Sequence, residues 1–457
     1  MTNLPADLAE RALAAATGPC VVLVEATSSA NLRWAANTLT TNGLTGSHQV
    51  TVIAVHDGVH AGVVSRSAVR PDDVAALVAD AESAARVAGP SEDAGDLASG
   101  HAHDSFGEPP AAVAPSDLAS LARGLGAAFE SARHGGLEHF GYAEQEARTT
   151  YLATSTGIRY RHAQPSAVVQ VNGKSTGRTR SAWAGSAAQV LDDVDVAALV
   201  TEVTERLGWQ ARQVELGAGR YDAVLPPSAV ADLMAYAYLA ADARGAHEGR
   251  SVFGHPGGGT RIGEQLTPVP LTLRSDPAMP GLACSPVVLA SQSGAFSSVF
   301  DNGLPLQATT WLNDGRLVAL PATRHAAGLA LTPLRPFIDN LSLSSPDGAG
   351  STLDLVGDLD HGLLLTCIWY VREVDPQTLL LTGLTRDGVY LVEAGEVVGA
   401  VTNFRFNESP IDLLRRVEAV GATVPTLGRE LGDYFPRTEM AALRVAGFNF
   451  SSISQAS

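Results

Sequence analysis

The sequence predicts a mixed α+β fold: N-terminal α/β segments followed by a large antiparallel, curved or barrel-like, β-rich C-terminal domain. Three observations carry this. Short β-branched runs alternate with helical spacing in the first ninety residues. A stretch rich in Gly, Pro, Ala and acid separates them from a second α/β segment. Turn dipeptides then recur through the last third, at Asn302-Gly303, Asp314-Gly315, Asp347-Gly348 and Asp387-Gly388.

In order, "CVVLVEA" (20–26) is strand-like, and "SSANLRWAANTLTTNG" (28–43) has helical spacing with Ser in front and Asn-Gly behind. "HQVTVIAVHDG" and "VHAGVVSRSAV" are further strands, and "PDDVAALVADAESAARVAG" is a helix opened by Pro and acid. This unit spans residues 1–90. Residues 91–115 have no period and read as a linker or mobile loop, so His101, His103 and Asp104 are expected to be solvated.

Residues 116–218 form a central α/β unit: the helix "LASLARGLGAAFESARH", a meander over 149–185 with Gly turns, and the helix "VDVAALVTEVTERLGWQARQ". The C-terminal unit is 219–457. It opens with a strand running into a long helix, "YDAVLPPSAVADLMAYAYLAADARGAHEG", with Ser228 as the expected N-cap. "GVYLVEAGEVVGAV" is a hairpin. "NESPIDLLRRVEAVG" is a helix with Ser409 as N-cap, Pro410 at its first position, Asp412 closing a capping box and Gly421 as its stop.

A chain of 457 residues with 45% hydrophobic and 17% charged residues has a globular composition. Its 31 Lys and Arg against 48 Asp and Glu give a formal net charge of −17. That argues against sequence-independent nucleic-acid binding and against adhesion to an anionic membrane. Cys20, Cys284 and Cys367 lie far apart among apolar residues and read as buried thiols of a cytoplasmic protein. No apolar run reaches the ~20 residues of a membrane helix.

The chemistry is sparse. "GHPGGGTRIGE" lacks the Lys-Ser or Lys-Thr of a phosphate loop, and the serines of "SQSG" and "TSTG" have glycine on one side only. His247 and Glu248 stand together with His255 eight residues on. A zinc helix needs two histidines one turn apart with glutamate between them, and here Ser251 and Val252 occupy the turn after His247. On a continuous helix His255 would be about 12 Å away. The expected role of His247 is to end its helix, where a cation complements the dipole, with a loop beyond.

From residue 220 onward the sequence resembles the TldD/PmbA family, and within it the TldE (PmbA) side. The carrying stretches are "HEGRSVFG", "DNGLPLQATTWLNDGRLVAL", "FIDNLSLSSPDGAG" and the long run from "GLLLTCIWYV" to "NESPIDLL". The resemblance implies one half of a cytosolic heterodimeric zinc metallopeptidase. In that family the TldD subunit holds zinc with a His-Glu-x-x-x-His helix and a downstream Cys, and the TldE subunit helps enclose the chamber where unfolded peptides are cut. Anchored on "SVFG", the metal hexad falls at Met234 to Leu239, which reads Met-Ala-Tyr-Ala-Tyr-Leu. No His lies between His162 and His247, so an offset of a residue or two changes nothing.

The resemblance therefore implies no catalytic residue and no metal ligand in this chain, with zinc in a TldD-like partner. It implies an unfolded or precursor peptide as substrate. Arg372, Asn403 and Arg405 are candidates for lining the substrate channel. Two alternatives remain at this point: an autonomous metal-dependent peptidase using His247, Glu248 and His255, and a homo-oligomeric peptide-binding protein.

Overall fold

In the computed structural model, which describes residues 5–454, two sheets share the chain. The first is six-stranded, in the order β3-β2-β1-β4-β5-β6, and entirely antiparallel. Its members are β1 (Cys20–Ala35), β2 (Thr38–His56), β3 (His60–Ser67), β4 (Leu137–Thr154), β5 (Arg159–Ser175) and β6 (Ser181–Ala188). Because β1 pairs with β4, the expected units at 1–90 and 116–218 are joined in one sheet.

The expected helix over 28–43 is instead the tip of a hairpin between β1 and β2. Ala36 and Asn37 both take positive φ, 47° and 61°, as a two-residue turn between twisted strands requires. Asn37 is locked there: its side-chain amide donates to the Leu137 carbonyl at 2.7 Å and accepts the His139 N–H at 2.7 Å. Ala30, Leu32 and Trp34 alternate into a core beneath α3 (Ala119–His134). Period two, read on the buried side, overrides the helical spacing of the same residues.

Helices α1 (Pro5–Ala15), α2 (Val74–Val87), α3 and α4 (Val196–Trp209) all cover one face of this sheet. Gly62 on β3 makes this possible at one edge, since any side chain there would meet the Ala81 carbonyl of α2. The expected linker is tied down along its length. Phe106 packs on Tyr151, the Tyr151 hydroxyl donates to the Glu108 carbonyl at 2.6 Å, and the Val113 N–H donates to Ser28 at 3.0 Å. His101 and His103 stack on each other, and His103 packs edge-on against Tyr160.

The second sheet has fourteen strands in a branched path and does not close into a barrel. At its centre the last strand, Thr438–Ile453, pairs with Gly219–Leu225, Leu341–Ser344, Phe404–Glu408 and Val417–Thr426. The helix α5 (Pro227–Leu239) lies in the main core with nine buried residues, as an apolar composition on all sides dictates. Its N-cap is Pro226, with Pro227 at the first position, so Ser228 falls inside the first turn and caps nothing.

The expected helix over 407–421 is a single turn, Pro410–Leu414, capped by Ser409 as anticipated. Asp412 faces Arg415 at 3.8 Å instead of closing a box. Beyond it, Val417–Thr426 is drawn into the ladder of the last strand, where Val417 and Val420 bury. The hairpins at Asp314-Gly315 and in 388–401 form as the turn residues predict.

Candidate functional site

A cavity of about 950 Å³ lies between the bare face of the six-stranded sheet and the C-terminal unit. Alternation along β4 and β5 creates it. Ala143, Ala147, Tyr151, Ala167, Val169 and Val171 point into the helix-covered core. Tyr142, Glu144, Glu146 and Arg148 therefore point the other way, opposite Gln170, Val168, Ser166 and Gln164 in the antiparallel register. Arg33 of β1 adds a cation, its guanidinium 4.8 Å from the centre of the Tyr142 ring. The roof comes from 284–306, Phe337, Asp339 and 432–437.

Several charges of this groove have partners of opposite charge or a hydrogen-bond donor. Arg148 meets Glu146 at 3.1 Å, Arg437 pairs with Asp339, and Asp433 accepts the Gln170 amide at 2.9 Å. Burial raises the Asp339 carboxyl and outweighs the neighbouring Arg437. Burial also lowers His162, which sits on the floor against Gln164, so its neutral form is favoured. Tyr142 is raised by burial and by its bond to Glu144.

Among the described residues, none of the three cysteines is activated as a nucleophile. Burial pushes the Cys284 thiol up to about 11, and Cys20 and Cys367 to about 12, away from the thiolate that attacks a carbonyl. Ser155 and Ser293 spend their hydroxyls accepting the backbone N–H groups of Cys20 and Val299, each at 3.0 Å.

The segment Met234–Leu239 is the last half of α5. Met234, Ala235, Ala237 and Tyr238 are buried in the main core. The Tyr238 hydroxyl donates to the Ile338 carbonyl at 3.1 Å, and that of Tyr236 to the Val371 carbonyl at 2.9 Å. None of these side chains is a donor of the kind zinc takes, so the residues here do not fit a zinc ion. The carboxylate nearest in sequence, Asp232, is fully buried and accepts the N–H groups of Arg429, Glu430 and Leu431 at 2.8 to 3.1 Å.

His247 is the last residue of α6 (Ala243–His247). Glu248 is held by Arg244 at 3.0 Å and by Arg250 at 2.6 Å, which keeps its carboxyl below the usual range. His255 faces Glu264 at 3.2 Å. No group of three or more potential metal ligands assembles among the described residues.

The channel candidates lie elsewhere. Arg372 meets Glu430 at 3.2 Å, Arg405 reaches the Thr382 hydroxyl at 3.4 Å, and the Asn403 carbonyl accepts the Ser454 N–H at 2.7 Å. None of the three lines the groove. What sequence reading missed is the run "YAEQEART" (142–149). Its alternation of small buried residues with charged ones marks a strand whose polar face looks onto something other than bulk solvent.

A helix-backed antiparallel sheet docked on a larger mixed sheet, with a groove between them, is an architecture that solved structures share. The sequence matches the PmbA/TldA metallopeptidase C-terminal domain over residues 218–452, and the chain belongs to the PmbA/TldD family. Its fold is similar to that of TldE from Thermococcus kodakarensis, at 14% identity and a TM-score of 0.78, covering 97% of this chain and 98% of that one. It is also similar to a Thermotoga maritima protein described as a modulator of a DNA gyrase, at 16% identity and a TM-score of 0.75, covering 97% and 99%. No curated protein matches the chain.

Proposed function

We propose that this chain is the non-catalytic, TldE-like subunit of a heterodimeric metallopeptidase that cuts unfolded or precursor peptides in the cytoplasm. The observation that carries the reading is the content of Met234–Leu239: apolar and hydroxyl side chains packed into the core where the zinc-bearing chains of the family are expected to hold their hexad. Without a ligand set no Lewis acid is held, and without a glutamate no water is activated. The catalytic zinc then belongs to a TldD-like partner.

On this reading the groove is a substrate passage. Over 141–153 β4 is paired on both sides, as β5 is over 167–174, so a peptide lying over these stretches meets side chains and not free ladder groups. Arg33, Glu144, Glu146 and Arg148 would bind it by many weak polar contacts, which suits substrates of varied sequence. Among the described residues no helix is long and apolar enough to cross a membrane.

Co-expression with a TldD-like chain from the same genome tests the assignment. The two chains are expected to co-purify as a one-to-one complex with about one zinc per heterodimer, and this chain alone to hold none. Stoichiometric zinc in the isolated chain would overturn it.

A further inference from the structure

We propose that the groove selects its peptide by pattern: an extended chain in which apolar side chains alternate with basic ones, the apolar set facing the roof and the basic set facing the floor. This selection presupposes that the groove is the substrate passage proposed above.

The two walls differ in chemistry. The floor follows β4 and β5 through five register pairs, from Tyr142 opposite Gln170 to Thr150 opposite His162. Apart from Val168, the β5 side chains on it are polar. The roof offers Val287, Phe296, Leu306 and Phe337, which line the cavity and are only half-buried. They are fixed in place. The Phe337 ring stacks on Tyr238 of the core at 4.8 Å and lies 5.6 Å from the Phe296 ring. The Leu306 N–H donates to the Pro286 carbonyl at 2.8 Å. Apolar side chains left half-exposed above a polar floor gain from an occupant that buries them.

The roof meets the floor at two points. Gln164 donates to the Ala283 carbonyl at 3.1 Å, and Gln170 to Asp433 at 2.9 Å. Between these points the register sets Glu146 beside Ser166 and Glu144 beside Val168. Spacing then selects an extended occupant. Floor side chains recur at every second residue, about 6.8 Å apart, and so do alternate side chains of an extended peptide. A helix repeats at about 5.4 Å per turn and drifts out of step with such a floor. An extended chain lying along β4 also turns successive side chains to opposite walls.

Charge selects the floor-facing set. Of the four carboxylates that line the cavity, Glu146 and Asp339 hold Arg148 and Arg437. Among the described residues Glu144 and Asp433 stand in no ion pair, and Asp433 takes the neutral Gln170 amide. Arg33, the lining cation outside the two pairs, lies over the Tyr142 ring. A Lys or Arg of the peptide supplies the missing partner, and an acidic residue in its place is repelled. The net charge of −17 acts in the same sense at longer range. Peptides of many sequences satisfy such a pattern.

Fluorescence anisotropy on the full-length chain tests the proposal with labelled peptides of about twelve residues, enough to span the floor. Three share one composition of Lys, Val and Phe: strict alternation, separate apolar and basic blocks, and a helical three-four spacing. A fourth alternates with Glu in place of Lys. The strictly alternating basic peptide is expected to bind about tenfold more tightly than each of the others. Because the first three carry equal charge, general attraction to an acidic chain cannot separate them. Glu144→Gln is expected to shrink the preference for Lys over Glu, and Phe296→Ala the preference for alternation over blocks, both with unchanged circular dichroism. Ser166→Trp, which fills the groove, is expected to abolish binding. Equal binding of alternating and block peptides, or preference for the helical spacing or for Glu, overturns the proposal and leaves the passage standing, provided Ser166→Trp still blocks. Binding that persists in Ser166→Trp, or none by any peptide, removes the passage and the proposal together.

Discussion

The Asp232 carboxylate on α5 accepts the backbone N–H of Leu431 at 2.9 Å, and with Arg429 and Glu430 it gathers three consecutive amides around one fully buried side chain. Gly428 approaches so closely that a side chain there would strike the carboxylate. The loop held in this way sends Arg429 to Gln170 of β5 and Asp433 to the groove. Asp232 thus ties the core helix to the roof of the candidate passage.

Burial pushes the Asp232 carboxyl from 3.8 up to about 7. A group that binds its proton more tightly when folded contributes fully below its unfolded value and loses that contribution as pH rises through the folded one. Asp232→Asn cannot ionise. From pH 4 to pH 7 the wild type is therefore expected to lose stability relative to D232N, by on the order of 3 kcal/mol. Urea denaturation at half-unit steps checks this, and a constant difference between the two proteins would refute it.

Arg429 joins the two sheets. Its guanidinium lies 3.7 Å from the centre of the Trp369 ring and 5.1 Å from that of Trp183, and it donates to Gln170 at 2.7 Å. Arg429→Ala is expected to cost about 2 kcal/mol. The loss should concentrate between the sheets, so limited proteolysis is expected to release fragments cut near 215 and 430. Arg429→Lys keeps the charge but loses the planar stack, and should fall between the two.

The groove floor is expected to tolerate enlargement structurally but not functionally. Ser166→Trp projects an indole into the cavity from β5 without touching the helix-covered core. Thermal unfolding should be unchanged, while peptide digestion by the heterodimer falls about tenfold, equivalent to about 1.4 kcal/mol. Full activity in S166W would remove the groove from the substrate path.

The fold was legible where one signal dominates. The hairpin at Asp314-Gly315 and the cap at Ser409 follow from turn and capping chemistry alone. The region 28–43 was not, because Leu32, Ala35, Ala36 and Leu39 satisfy helical spacing while the buried set, Ala30, Leu32 and Trp34, has period two. Only the presence of α3 on that face decides between them. Val417–Thr426 was not legible for the same reason, since its pairing strand begins at Thr438, twelve residues beyond Thr426. The groove was invisible because its two walls, β4–β5 and 284–306, are brought together only by tertiary docking. The apolar and hydroxyl content of Met234–Leu239 is legible in the sequence alone.

The most direct measurement of the central claim is digestion of an unfolded peptide by this chain alone, by a TldD-like partner alone, and by both together, with and without chelator. The account predicts chelator-sensitive cleavage by the two chains together and none by this chain alone. Chelator-sensitive cleavage by this chain alone would contradict it.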